Sequence, residues 1–145
     1  MKDAICSVIG AIGAAIASAF GGWSAGMTTL VIFMAIDYIT GLVVAAVFKN
    51  SPKTETGTLS SAACLKGLIR KGMMLLIVLI ACRLDMLIGT NYIRDAVIIA
   101  FCSSELLSLV ENAGLMGVPI PSVITKAIDI LQHKDDDNES AGGSE

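Results

Sequence analysis

The sequence predicts an all-α integral membrane protein with three to four transmembrane helices and a short C-terminal amphipathic helix. Three observations predict it. Of 145 residues, 54% are hydrophobic and only 16% charged, above the roughly 45–50% apolar share of a soluble domain. No charged residue occurs from Ala4 to Ile36, whereas a soluble helix keeps a polar face. Several apolar runs approach the about 20 residues needed to cross a hydrocarbon core.

The first span is expected at about 4–20. Ile5, Ile9, Ile12, Ile16, Phe20 and Trp23 fall at helical spacing, and opposite them runs a ladder of small residues, Gly10, Ala14, Ser18 and Gly22. Small residues four apart let helix backbones approach closely in lipid, so the ladder predicts a helix–helix contact within or between subunits. Ala17-Ser18-Ala19 also resembles a signal-peptide cleavage site, but Asp3 cancels Lys2 and further spans follow. Residues 21–26 are glycine-rich, break the helix and add Trp23 at the membrane interface.

The second span is expected at 28–48, with Asp37 near its middle. A polar loop with Pro52 and Gly57 follows, and Ser60 or Ser61 could cap a helix that enters the third span, 72–88. Gly89-Thr90-Asn91 makes a turn before a fourth segment, 96–110, which either spans or lies at the interface. Gly117 to Pro121 ends helical structure, because proline removes a donor and restricts its predecessor. The transmembrane domain is therefore placed at 1–117 and the amphipathic helix at 118–133. Val123, Ile124, Ala127, Ile128 and Leu131 form the apolar face of that helix. Residues 134–145 form an acidic tail expected to be disordered.

Charge placement sets orientation and excludes function classes. The tail holds five acids (Asp135, Asp136, Asp137, Glu139, Glu145), so the net charge of −3 becomes +2 for the rest. There is no basic stripe of the kind nucleic acid requires. Lys49, Lys53, Lys66, Arg70 and Lys71 surround one loop, and positive loops stay cytoplasmic, which puts the N-terminus inside as well. Lys66, Arg70 and Lys71 are expected to fix the third helix at the membrane surface. The four cysteines lack metal or redox spacing, and the single histidine, His133, stands alone. No nucleophile–base pair, phosphate loop, metal cluster or cofactor motif is present, so the chain is not expected to be an enzyme.

The informative residues are polar groups inside apolar segments, which face a bundle interior or water. Asp37 shares a face with Thr40 and Gly41. In the fourth segment Ser104, Glu105, Ser108, Glu111 and Asn112 form a polar stripe, which can line a wet pore or lie at the interface. Arg83 and Asp85 lie near the far end of the third span. One reading pairs Arg83 with Asp37 or Glu105; another lets Arg83 snorkel outward. A proton relay is a third use of these groups.

Asp37-Tyr38-Ile39-Thr40-Gly41, then Lys66-Gly67-Leu68-Ile69-Arg70-Lys71, then Leu84-Asp85, resemble the toxin-secretion/phage-lysis holin family. Glu111-Asn112 followed by Gly117-Val118-Pro119-Ile120-Pro121 is similar to that family's C-terminal signature. The resemblance covers about 30–131, leaving the first segment and the tail outside it. It implies a phage or prophage protein of the bacterial cytoplasmic membrane that forms homo-oligomers and permeabilises the bilayer. An endolysin then reaches the cell wall, or a toxin leaves. It carries over no catalytic residue. Two rivals remain at this point: an ion-coupled transporter or channel subunit using Asp37 or Glu105, and a non-conducting scaffold or anti-holin-like regulator acting through the last helix and tail.

Overall fold

The computed structural model describes residues 1–141, with side chains described as far as 134. Among the described residues there are five α-helices: α1 (Lys2–Ala19), α2 (Ala25–Val43), α3 (Ser61–Ile88), α4 (Tyr92–Leu115) and α5 (Ser122–Ala141). A π-helical turn, Val44–Phe48, prolongs α2 and stops at Lys49, which takes a left-handed conformation with φ 51°. Among the described residues two helices, Lys2–Ala19 and Ala25–Phe48, are by length and composition long and apolar enough to cross a membrane.

α2, α3 and α4 form the bundle. Its core is Met27, Leu30 and Met34 from α2, Met74 and Val78 from α3, and Ile98 and Cys102 from α4, with Phe20, Phe33, Leu75, Val97 and Phe101 packed around it. These positions recur every three or four residues, so each helix lays one narrow seam against its neighbours. The register can be read from two contacts. A Cβ on Gly26 would lie 3.2 Å from Ile98, and Asn112 bonds Thr40. Both pairs are 72 apart in sequence, so α2 and α4 run parallel and in register over about 20 Å at 1.5 Å per residue. α3 runs antiparallel to both.

Beside this apolar core the bundle also buries polar groups, and it covers its outside with aliphatic side chains. Asp37, Asp85, Ser103, Glu105 and Asn112 are buried, while Ile32, Ile36, Ile39, Ile69, Leu76 and Ile80 face outward. An aliphatic exterior of this extent marks a surface made for something other than water, and with the polar groups inside it fits a lipid surround.

α1 stands apart, with no buried residue. Its small-residue ladder is shorter than the spacing suggests. Gly10, Ala14 and Ser18 lie on the helix, but Gly22 falls in the turn beyond it, with φ 98°. The helix ends because Gly21 and Gly22 turn back, their amides donating to Ser18 and Ala17 carbonyls. Gly21 is favoured by its φ of 68°; a Cβ there would also sit 2.7 Å from Met86 Cε, the flexible end of a side chain that would have to shift. Ser24 then caps α2, its hydroxyl accepting from the Met27 amide, while Trp23 Nε1 donates to Thr28. At the other end α5 docks on α4 through Ile128, which is buried, with Ala127 and Leu131 half-buried beside it. Val123, expected on the same face, is exposed. The tail expected to be disordered from 134 overlaps α5 as far as Ala141, and 142–145 lie outside the described residues.

Asp85 is a fold residue rather than part of a polar stripe. Its carboxylate accepts from Thr90 Oγ1 (2.6 Å), the Ile93 amide (3.1 Å) and the Arg94 amide (2.8 Å). Its own carbonyl accepts from the Gly89 and Thr90 amides. One residue near the end of α3 thus closes that helix and caps the start of α4, where Asn91 makes no side-chain cap bond. Asp85→Ala is expected to cost roughly 2–3 kcal/mol, the loss of a cap plus charge-assisted bonds, with Asp85→Asn in between. The midpoint of unfolding in mild detergent measures this; an unshifted midpoint would mean that the backbone alone holds the turn.

Candidate functional site

The apolar seams of the three bundle helices do not stop where the apolar residues stop. On α2 the seam Met27, Leu30, Met34 continues to Asp37; on α4, Ile98 and Cys102 continue to Glu105 and Asn112. On α3, three residues before Met74, stands Lys71. Lys71 Nζ lies 2.8 Å from Asp37 Oδ2 and also bonds Glu105. The side chains are 13%, 6% and 8% exposed for Lys71, Asp37 and Glu105. One ammonium therefore serves two carboxylates from two other helices.

Asn112 completes the cluster. Its Nδ2 donates to Asp37 Oδ1 (3.0 Å), to the Asp37 carbonyl (3.3 Å) and to Thr40 Oγ1 (3.0 Å). Thr40 donates in turn to the Ile36 carbonyl at 2.9 Å. Gly41 leaves room here: a Cβ would meet Asn112 Nδ2 and Lys53 Nζ, each at 3.8 Å. Among the described residues, every buried side-chain nitrogen and oxygen has a partner. The network is satisfied, which is the condition under which buried charge is tolerated.

Several expectations are corrected. Lys71 does not share the outward face of Lys66 and Arg70. Those two are exposed, whereas the next residue is turned about 100° around the helix and enters the seam. Arg83 pairs with neither Asp37 nor Glu105. It is exposed, lying 3.4 Å from Met86 Sδ, and its Cα is about 18 Å along α3 from that of Lys71, so it belongs to the opposite end. The polar stripe of α4 divides. Glu105 and Asn112 are buried in the network, while Ser104, Ser108 and Glu111 line an adjoining cavity. Tyr38 and Gly67, known so far only as motif positions, are neighbours. The ring would lie 3.7 Å from a Cβ on Gly67, and the hydroxyl donates to the Cys64 carbonyl at 3.4 Å.

The cavity has a volume of about 500 Å3 and lies between the end of α2, the 50–60 loop, the start of α3 and the middle of α4. Its walls carry the charged network on one side and Lys53, Lys66 and Arg70 on another. Nothing in this arrangement pairs a nucleophile with a base. It does provide fixed charge, hydrogen-bonding groups and room for water at one end of an apolar bundle.

The shared lysine yields a test by paired substitution. Lys71→Met leaves two buried carboxylates without their cation and is expected to destabilise the fold by about 3–5 kcal/mol. Adding Glu105→Gln to Lys71→Met is expected to restore a large part of that loss, since one repelling charge is removed. Unfolding of the single and double variants in detergent measures the coupling; strict additivity would disprove it.

The family model described as bacteriophage holin family matches residues 14–133. The match begins within α1, earlier than the motifs alone reach. A probable holin of Bacillus phage phi105 is 31% identical over 113 residues, 74% of this chain and 78% of the relative. An uncharacterised protein of Listeria innocua is 38% identical over 111 residues, covering 76% and 74%. An uncharacterised 14.9 kDa protein from the nagH 3′ region of Clostridium perfringens is 33% identical over 117 residues, covering 79% and 83%. No solved structure matches the chain. The match spans all three bundle helices and with them Asp37, Lys71, Glu105 and Asn112, and on that basis the chain belongs to the bacteriophage holin family.

Proposed function

We propose that this protein is a holin of the bacterial cytoplasmic membrane, which assembles with copies of itself and permeabilises the bilayer. An endolysin would then reach the cell wall, or a toxin would leave the cell. The observation that carries the reading is a charged network, Asp37–Lys71–Glu105, buried at one end of a bundle whose outside is aliphatic, in a chain of the holin family. A polar interior in an apolar exterior is what a protein needs if it is to reside in lipid and later admit water.

The bundle geometry supports a multi-pass topology. α3 and α4 measure about 42 and 36 Å at 1.5 Å per residue, against a hydrocarbon core of about 30 Å. α4 runs parallel to α2 and in register with it, so a membrane crossed by α2 is crossed by α4 in the same direction. With α1 this makes four spans. The lysines of the 49–71 region favour a cytoplasmic position for that end, and with it for the N-terminus.

A single three-helix bundle satisfies its polar groups internally and leaves no channel for a protein. Permeabilisation therefore requires several chains, with the polar faces of α2 and α4 turned from each other towards shared water. α1 supplies a surface for assembly, since Gly10, Ala14 and Ser18 form a narrow face that meets nothing within this chain's bundle. The Ile128 face of α5, by contrast, is occupied by α4, which leaves less of it for a regulatory partner.

Expression of the protein alone in bacteria, with membrane potential and viable counts followed together, tests the proposal. Delayed, abrupt depolarisation with death is expected. Sustained potential at confirmed membrane expression would refute autonomous lesion formation and favour a scaffold or regulator. Solute-selective flux in viable cells would favour a transporter. Asp37→Asn is expected to shift the time of depolarisation without preventing membrane insertion, because it loosens the network that must open; unchanged timing at equal expression would count against a role for the network.

A further inference from the structure

We propose that the cavity at the Lys71 end of the bundle binds the phosphate headgroup of an anionic phospholipid, held by Lys53, Lys66 and Arg70. The argument begins with charge. Four cations and three carboxylates line the cavity. Lys71 is taken by Asp37 and Glu105. One ammonium against two carboxylates leaves that triad at −1, so Lys53, Lys66 and Arg70 outweigh it and Glu111 by one positive charge, and among the described residues none of these three cations forms a salt bridge. Lys53, exposed overall, brings its ammonium to 3.8 Å from the position a Cβ would take on Gly41. The volume, about 500 Å3, falls within the range of small-molecule pockets.

The surroundings identify the phosphate as a lipid's. Lys66 and Arg70 are interleaved with Leu65, Leu68 and Ile69, each more than half exposed. Cations alternating with bare aliphatic side chains on one helix mark the boundary between headgroups and hydrocarbon. Leu42, Leu59 and Leu107 add apolar wall inside the cavity, where the glycerol and upper acyl region would rest. A soluble phosphate would use the cations and leave this wall bare. Basic pockets between helices at the cytoplasmic side are a recurrent means of holding anionic headgroups. The inference rests on membrane residence alone and does not require lesion formation. It differs from general attraction of lysines to an anionic leaflet in predicting one retained lipid per chain.

The test uses the full-length protein in mild detergent, titrated with phosphatidylglycerol or phosphatidylcholine and read by native mass spectrometry. One phosphatidylglycerol per chain is expected, with phosphatidylcholine retained at least tenfold less. Lys53→Gln, Lys66→Gln and Arg70→Gln are each expected to weaken retention about fivefold, whereas Lys126→Gln, which removes a cation outside the cavity, is expected to change nothing. Lys53 lies in a loop, so its variant remains informative even if a change in α3 disturbs folding; circular dichroism checks each variant. Equal retention of both lipids, or undiminished phosphatidylglycerol binding in Lys53→Gln and Arg70→Gln, would overturn the site. Displacement of the lipid by millimolar inorganic phosphate would assign the cavity to a free anion and overturn the lipid identification. Because binding is read without pore formation, a failed depolarisation experiment leaves this result standing, and the reverse also holds.

Discussion

Everything in the bundle is arranged around one ammonium that must reach two carboxylates. A buried charge without its partner is among the most expensive defects a fold can carry, and here three such groups come from three helices. α2 must present Asp37, α3 Lys71 and α4 Glu105 at a single level. A slip of one residue turns a side chain by about 100° and would aim Lys71 into the surround. Apolar seams alone do not impose this. Met27, Leu30 and Met34 could slide past Ile98 and Cys102 by a turn at modest cost, because methionine and leucine adapt to many neighbours. The ion pairs select one register from several that the core would accept.

The two ends of the bundle use the same amino acid for different ends. Asp85 accepts hydrogen bonds from the segment immediately following it and so joins consecutive helices. Its bonds are local, and forming them requires little chain ordering beyond the turn. Asp37 bonds residues 34 and 75 positions away, so its partners exist only when the bundle is assembled. Separating α2 from α4 would break the Asp37 network while leaving the Asp85 turn whole. The molecule thus has a hinge-like closed end and an end held by long-range charge, and the cavity lies at the second.

Much of this was legible in the sequence. The membrane class follows from uncharged runs, the helix order from glycine and proline breaks, and the inward placement of Asp37, Glu105 and Asn112 from their rarity among apolar neighbours. The phase of Lys71 was also present, three before Met74 and seven before Val78, but it was masked by Lys66 and Arg70, whose company suggested a common surface role. Arg83 left two readings open, pairing with the acids or turning outward, and its exposure agrees with the second. As a lone cation in an apolar span it invites pairing with the acids, and only the register shows how far away it is. The role of Asp85 could not be read either, because a cap supplied from the preceding helix depends on the geometry of the turn rather than on a motif. The ladder through Gly22 failed because spacing continues through a turn where helix does not.

The division between a self-satisfied bundle and an unpartnered α1 bears on how a lesion could be delayed. If assembly used the bundle's polar faces directly, every encounter between two chains would have to break ion pairs, and accumulation would be as costly as opening. On the proposed reading, α1 would remove that difficulty. Its small-residue face can pack against another chain while Asp37, Lys71, Glu105 and Asn112 remain bonded within their own. Close packing of small residues gains dispersion contacts without disturbing any charge. Exchange of the polar contacts then becomes a separate step, favourable only when enough neighbouring chains are present to enclose water against the opened faces. On the holin reading, the buried charges set the barrier and α1 sets the local concentration at which that barrier is met. A protein with both features can fill a membrane harmlessly before it breaches it.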